Sequence, residues 1–463
     1  MYRVVIQNGI IVTEEKHYKA DILIENEKIV AIKENLELET EVDRIIQANG
    51  LFVLPGGIDP HVHLSLPDYV PEKYRWADDF ESGSKAALAG GITTLGCISV
   101  PDENETLKGI IERETISIEK QAIADFFIHP VLFTPTEEKL LEIPQLAKEG
   151  CSTIKIFMVT KDFDDNFDGY KQAMKIAGEN NMLTMIHCED YQLIEDTCQS
   201  LIEEGKGSLL HYADSRPIES EVIATQKAVD ICEETKAPIY VVHLSSEGAL
   251  KVCEEAQAQK LPVYVEGRPL FFYLNREEYL KPDGAIYVVQ PPLREKSDNE
   301  ALWKGLQSGS IHTFATDHAP HTQELKLNPE LNIKDLLPGL NELQLMLPML
   351  FSEGVATRKI SLEQFAAVIS TNTAKLFGLY PQKGAIQVGS DADLVLWDPA
   401  EVQVITGENM HSQAGFTIYE GKEMTGWPVM TLRRGEVVSV FGKIIGKPGS
   451  GKIIPRLETQ RLS

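Results

Sequence analysis

Two histidines one residue apart, His61 and His63, close the run Pro55-Gly56-Gly57-Ile58-Asp59-Pro60. Alternate side chains of a strand share one face, so both imidazoles point the same way. Imidazole is the commonest protein ligand for zinc and similar cations, and two on one strand make half a site. Two surface histidines on a strand would read the same, so the other half must be sought elsewhere. Lys155, His187, His243 and Asp317 each stand in or at the end of an apolar, strand-like run. A strand-end histidine is more often structural than catalytic. Four of them with an aspartate, all at strand ends, form the convergence expected of a site. His17, His129, His211, His312 and His411 lack this placement and read as structural or surface residues. His318 and His321 follow Asp317 and could line the pocket.

Lys155 stands within Thr153-Ile154-Lys155-Ile156-Phe157. An ammonium on a buried apolar strand is costly unless paired. It therefore either pairs with a nearby acid or loses its proton as burial lowers its pKa. A neutral amine can capture carbon dioxide. The resulting carbamate is an anionic oxygen ligand able to bridge two cations about 3.5–4 Å apart.

These residues need a scaffold that brings strand ends together. From Gly56 onward, strand-like runs alternate with helical patterns, the sign of βα units around a parallel sheet. Eight strands are predicted, at 58–63, 93–100, 126–133, 152–158, 183–187, 238–243, 262–266 and 312–316. Eight is the count of a closed (β/α)8 TIM barrel, whose active site lies at the C-terminal strand ends. An open doubly wound sheet competes, but its Gly-x-Gly-x-x-Gly turn is missing. Further helices are expected at 342–353 and 362–377. Short strands fill both ends of the chain and need one another to bury a face. The expected division is a small composite β-sandwich domain from residues 1–54 and 384–463, with the barrel at 55–383. Residues 447–463 read as an arm or tail.

The chain has 463 residues, of which 43% are hydrophobic and 25% charged, the composition of a globular protein. A net charge of -26 argues against nucleic acid or an anionic membrane as partner. No apolar run reaches the length of a membrane span, and Met1-Tyr2-Arg3-Val4-Val5-Ile6 reads as a strand rather than a leader. Cys97, Cys151, Cys188, Cys198, Cys232 and Cys253 form no Cys-x-x-Cys, so free thiols in a reducing cytoplasm are expected.

The motifs together resemble the cyclic amidohydrolases: hydantoinase/dihydropyrimidinase, allantoinase and dihydroorotase. The matching stretches are Asp59-Pro60-His61-Val62-His63-Leu64, Lys155-Ile156-Phe157-Met158, His187-Cys188-Glu189, Val242-His243-Leu244-Ser245-Ser246, Pro291-Pro292-Leu293-Arg294 and Thr316-Asp317-His318-Ala319-Pro320-His321. Toward the C-terminus, Gly389-Ser390-Asp391-Ala392-Asp393-Leu394-Val395 and Arg434-Gly435-Glu436-Val437-Val438 also match. The resemblance implies two divalent metal ions, with Zn2+ expected. His61, His63 and Asp317 would hold one and His187 and His243 the other. Lys155, as N6-carboxylysine, would bridge both. It also implies Asp317 as the catalytic proton carrier, a cyclic amide opened to an N-carbamoyl acid, and a homotetramer.

The chain departs from the subfamily patterns at several places. Dihydroorotases carry an Arg where this chain has Ser65, which argues for a neutral ring. Hydantoinases carry a Tyr where Thr160 stands, closer to some allantoinases. Gln290 replaces a Ser before Pro291-Pro292-Leu293-Arg294. Strand seven ends in Glu266-Gly267-Arg268-Pro269-Leu270, where Arg268 either reaches the pocket or pairs with an acid. Ser65, Thr160, Arg268, Gln290 and His321 are the candidate substrate contacts. A hydantoin- or dihydropyrimidine-type ring is the expected substrate, with allantoinase and then dihydroorotase as alternatives. A mononuclear deaminase on the same barrel would lack the bridging Lys155. A catalytically dead dihydropyrimidinase-related scaffold would lack some of the ligands, all of which are present here.

Overall fold

The computed structural model describes residues 2–37, 41–67, 69–71 and 74–462. Five strands come first: β1 (Arg3–Val12), β2 (His17–Glu25), β3 (Lys28–Lys33), β4 (Arg44–Gln47) and β5 (Phe52–Pro55). Eight parallel strands follow: β6 (Gly57–Val62), β7 (Ile92–Ser99), β8 (Asp125–Pro130), β9 (Thr153–Phe157), β10 (Leu183–His187), β11 (Ile239–Val241), β12 (Val263–Gly267) and β13 (Thr313–Phe314). The chain closes with β14 (Leu394–Val404), β15 (Glu423–Arg433), β16 (Glu436–Val440) and β17 (Lys443–Ile444).

The eight parallel strands form two sheets, β6-β7-β8 and β9 through β13, each strand beside its sequence neighbour. Single parallel bridges, Val131 to Lys155 and Val62 to His318, join the sheets at both seams and close the ring. Both seams therefore fall at residues of, or beside, the candidate site. Period-two alternation explains the filling of the barrel. Leu183 and Met185 of β10 pack in one apolar cluster with Ile58, Phe127, Tyr240 and Tyr264. Ile154 and Ile156 of β9 belong to the other large cluster, under the surrounding helices. Lys155, between them in register, is thus turned inward.

β5 pairs antiparallel with β14, Leu54 opposite Val395, so strands from both ends of the chain share one nine-stranded sheet, as expected. Residues 447–462 are not a free arm. They cross the N-terminal ends of the barrel strands: Phe126 N donates to Lys452 O (2.8 Å) and Ile454 N donates to Phe126 O (2.8 Å). Arg456 is buried there, donating to Thr153 Oγ1 and Ile128 O, both at 2.7 Å.

Strands six and eight are shorter than predicted. The ladder stops at Val241 and Phe314 because the backbone turns left-handed at His243 (φ 37°) and Asp317 (φ 48°). Non-glycine residues hold that conformation at a cost of about 1–3 kcal/mol, and do so mainly at functional positions. The helix expected at 362–377 contains a π turn at Ala367–Thr371, from which the Ser370 hydroxyl donates to Gly56 O (2.6 Å) just ahead of β6. Among the described residues no helix is long and apolar enough to cross a membrane.

Candidate metal centre

Asp59 fixes the end of β6. Its carboxyl accepts from His61 N (3.0 Å) and from the Thr316 hydroxyl (2.6 Å), tying β6 to the exit of β13. His63 N donates to His318 O (2.8 Å) across the same seam. The two histidines and Asp317 consequently meet. Asp317 Oδ1 lies 3.0 Å from His63 Nε2 and 3.3 Å from His61 Nε2. One donor atom from each of the three residues fits within 4.8 Å of the others.

The other nitrogen of His61, Nδ1, lies 2.9 Å from Glu266 Oε1 at the end of β12. The same oxygen accepts from His243 N (2.8 Å). Burial pushes the Glu266 carboxyl up to about 8, against the opposing charge of Lys155. A carboxyl on the outer nitrogen turns the inner nitrogen of a histidine toward a metal position.

His187 and His243 form a second donor pair, with His187 Nδ1 3.0 Å from His243 Nε2. His187 Nε2 lies 2.8 Å from Glu189 Oε2, and Arg216 reaches both oxygens of Glu189 (3.1 and 2.5 Å). Burial opposes ionisation of Glu189, but Arg216 and the imidazole outweigh it and hold the carboxyl well below the usual range. An ionised Glu189 can only accept, so His187 donates from Nε2 and presents the lone pair of Nδ1 to His243.

Lys155 is fully buried, and its Nζ has no hydrogen-bond partner among the described residues. Nζ lies 4.9 Å from the centre of the Phe157 ring. Burial, only partly opposed by the charges of Glu266 and Asp317, lowers the amine to about 8. No acid among the described residues pairs directly with it. An orphaned, easily deprotonated amine beside five metal-type donors suits a group that completes a cation site.

Asp317 is held well below the usual carboxylate range. Burial acts the other way, but the Arg268 guanidinium and the imidazoles of His61 and His63 outweigh it. Arg268 Nη1 lies 2.6 Å from Asp317 Oδ2.

A cavity of about 290 Å³ opens over the centre, lined by His61, His63, His187, His243 and Asp317. Its remaining walls are largely apolar, with Leu66, Trp76, Val100, Phe133, Phe157 and Val159. Two of the five candidate substrate contacts, Thr160 and Gln290, stand in those walls, and Ser65, Arg268 and His321 do not. The Ser65 hydroxyl turns away to the buried carboxyl of Glu114 (2.8 Å). Arg268 is fully buried between Asp317 and Glu342, taking the acid-paired alternative. His321 lies behind Trp76, with ring centres 4.8 Å apart. His318 is likewise buried, 2.9 Å from Asp78. His129 is structural, its Nδ1 2.6 Å from the Thr153 hydroxyl.

Glu266, Glu189 and Trp76 also shape the site, although no motif in the sequence assigns them a role. Glu266 carried a usable signal, since an acid after Val263-Tyr264-Val265 is as costly as Lys155 on its own strand. Glu189 follows His187 by two residues and so shares its face. Trp76 sits in the irregular segment after β6, where no period places a side chain.

The amidohydrolase family model matches residues 52–438. The D-hydantoinase of Geobacillus stearothermophilus is 37% identical over 460 residues, covering 97% of this chain and 96% of the relative. The D-hydantoinase of Ralstonia pickettii is 33% identical over 462 residues, 98% of each chain. The crystal structure of dihydropyrimidinase from Brevibacillus agri superposes with a TM-score of 0.94 at 33% identity, covering 99% of this chain and 100% of that one. With sequence and fold matched along nearly its whole length, the chain belongs to the amidohydrolase family.

Proposed function

We propose that this protein is a metal-dependent cyclic amide hydrolase that opens a neutral hydantoin- or dihydropyrimidine-type ring to an N-carbamoyl acid. The observation that carries the reading is the buried, unpartnered Lys155 amine at a barrel mouth that also holds two donor clusters, His61/His63/Asp317 and His187/His243. The relatives named as D-hydantoinases and a dihydropyrimidinase support it.

In this reading His61, His63 and Asp317 would hold one divalent ion and His187 and His243 the other, with Zn2+ as the ion. Lys155, carboxylated to N6-carboxylysine, would supply an anionic oxygen ligand to the site. When bound, two such ions lower the pKa of water and polarise an amide carbonyl. The protein's own residues do the rest. Glu189 and Glu266 fix the tautomers of His187 and His61. The apolar walls seat the ring and exclude bulk water. Asp317 takes a proton from the attacking water and delivers it to the ring nitrogen as the C–N bond breaks. The water oxygen ends on the carbonyl carbon, and the new carboxyl releases the second water proton to solvent as it becomes the carboxylate.

Among the described residues the cavity walls carry no arginine or lysine to pair with a substrate carboxylate, and unpaired buried charge discriminates strongly. Dihydroorotate is therefore disfavoured. Thr160 in place of a tyrosine leaves allantoin as the second reading. Protein loaded with Zn2+ and bicarbonate and assayed on hydantoin, dihydrouracil, allantoin and dihydroorotate tests this. A neutral ring is expected to lead in kcat/KM, and dihydroorotate leading by orders of magnitude would refute the reading.

The divisions 1–54 with 384–463 and 55–383 serve as the domain description. Six free, buried cysteines support a reducing cytoplasm. A homotetramer is carried by the resemblance alone, since the C-terminal segment packs on its own barrel; light scattering at micromolar concentration decides it.

A further inference from the structure

The Asp317 carboxylate is divided between two environments. Oδ1 faces the imidazoles of His61 and His63. Oδ2 receives Arg268 Nη1 at 2.6 Å, and Nη2 of the same guanidinium lies 3.4 Å from the Asp317 carbonyl. Arg268 Nε donates to Glu342 Oε2 (3.0 Å), and Glu342 Oε1 accepts from the Tyr419 hydroxyl (2.9 Å). Arg268, Glu342 and Tyr419 are all buried and stand outside the cavity wall. They form a continuous polar chain from a segment just ahead of β15 to the carboxylate at the barrel mouth.

An aspartate side chain turns about a broad, nearly two-fold torsion, so its two oxygens are interchangeable unless something distinguishes them. Here the distinction is made by a planar fork that reaches two carboxylates and a carbonyl at once, which an ammonium cannot reproduce. We infer that Arg268 is the positioning residue for Asp317: by occupying Oδ2 it commits Oδ1 to the His61/His63 metal position and fixes the aspartate in one orientation. The inference rests on the proposed reading of the site. Its rival is that Arg268 only neutralises Glu342 and Asp317, two acids buried together.

Three variants separate the two: R268M, R268K and R268M/E342Q. The double variant removes the charge that R268M alone would strand at Glu342, while keeping an acceptor for Tyr419. Each is measured for kcat and KM, for cations per chain under increasing chelator, and for Tm. In R268M, kcat is expected to fall about 10–100-fold with KM little changed, and one of two cations to be lost at lower chelator concentration. R268M/E342Q is expected to recover Tm but neither kcat nor chelator resistance, and R268K to recover both in part. Should R268M prove too unstable to purify, the double variant carries the comparison. Wild-type kcat and chelator resistance in the double variant would overturn the inference, leaving Arg268 as charge compensation. A wild-type chain that held no cations and opened no ring would instead overturn the reading of the site, and this inference with it.

Discussion

His187 Nδ1 and His243 Nε2 face each other at 3.0 Å, two imidazole nitrogens brought together from neighbouring strand ends. The arrangement depends on Glu189, whose carboxylate takes the opposite nitrogen of His187. Glu189→Gln weakens that grip and leaves Arg216 without its anion. Cation affinity or activity is expected to fall about 10–100-fold, read by chelator titration with metal analysis. Unchanged retention would show that the tautomer of His187 is set by something else.

Thr160 stands in the cavity wall, yet its hydroxyl is committed. It donates to Phe157 O (3.2 Å) and accepts from Phe163 N (3.3 Å), capping the short helix Lys161–Asp165. It therefore has no proton to offer a developing oxyanion. Thr160→Ala is expected to cost about 1 kcal/mol in denaturant unfolding, the worth of an N-cap. Thr160→Tyr loses the same cap but adds an O–H donor, so kcat on hydantoin is expected to rise while Tm falls. Identical kcat and KM in both variants would place residue 160 away from bound substrate.

At the opposite end of the barrel, the buried Lys383 ammonium lies 2.7 Å from both Asp125 and Asp393 and 3.2 Å from Asp391. Burial opposes ionisation of Asp125, but Lys383 and Arg434 outweigh it and lower its pKa; Asp391 is lowered in the same sense by Lys383 and Lys28. Carboxyls depressed on folding contribute stability above their unfolded pKa, near 3.9, and lose it as pH falls through the folded value. Denaturant midpoints should hold steady above about pH 5 and fall below about pH 4. Lys383→Met should flatten that acid limb and cost about 3–5 kcal/mol at neutral pH, because it strands buried carboxylates. A wild-type acid limb retained in the variant would assign the pH dependence elsewhere.

Much of this site follows from alternation alone. Leu183, Met185 and His187 share the inner face of β10, while Ile154 and Ile156 leave Lys155 on the inner face of β9. Alternation fails where the backbone leaves the strand. The run Ile239-Tyr240-Val241-Val242-His243-Leu244 reads as continuous strand, but the left-handed turn at His243 ends the ladder two residues earlier. The π turn at Ala367–Thr371 adds a residue that a 3.6-residue period does not mark. Contacts distant in sequence were also hidden. Nothing local tells Arg268 that its partners are Asp317 and Glu342, or Ser65 that its partner is Glu114.

The C-terminal segment illustrates the same point. Few apolar residues in 447–463 suggested an arm, but backbone hydrogen bonds and one buried arginine hold it against the barrel. Arg456→Met strips donors from Thr153 Oγ1 and Ile128 O and is expected to cost about 1–3 kcal/mol in denaturant unfolding. A change within error would mean the segment is held by its backbone alone.

Lys155 decides the account as a whole, because the two-cation reading needs its amine to become an anion. Burial has already lowered the amine to about 8, and cation binding should favour the carbamate in turn, so capture of carbon dioxide and loading of the site are linked. Lys155→Ala should lose cations and activity together, and Lys155→Glu should regain part of the cations through its shorter carboxylate. The direct measurement is 13C NMR of wild type and Lys155→Ala, each reloaded with Zn2+ in 13C-bicarbonate, alongside metal analysis. The expected result is a carbamate resonance in the wild type with two cations per chain, absent from the variant. A fully active wild-type enzyme with two cations and an unmodified Lys155 amine would contradict the account.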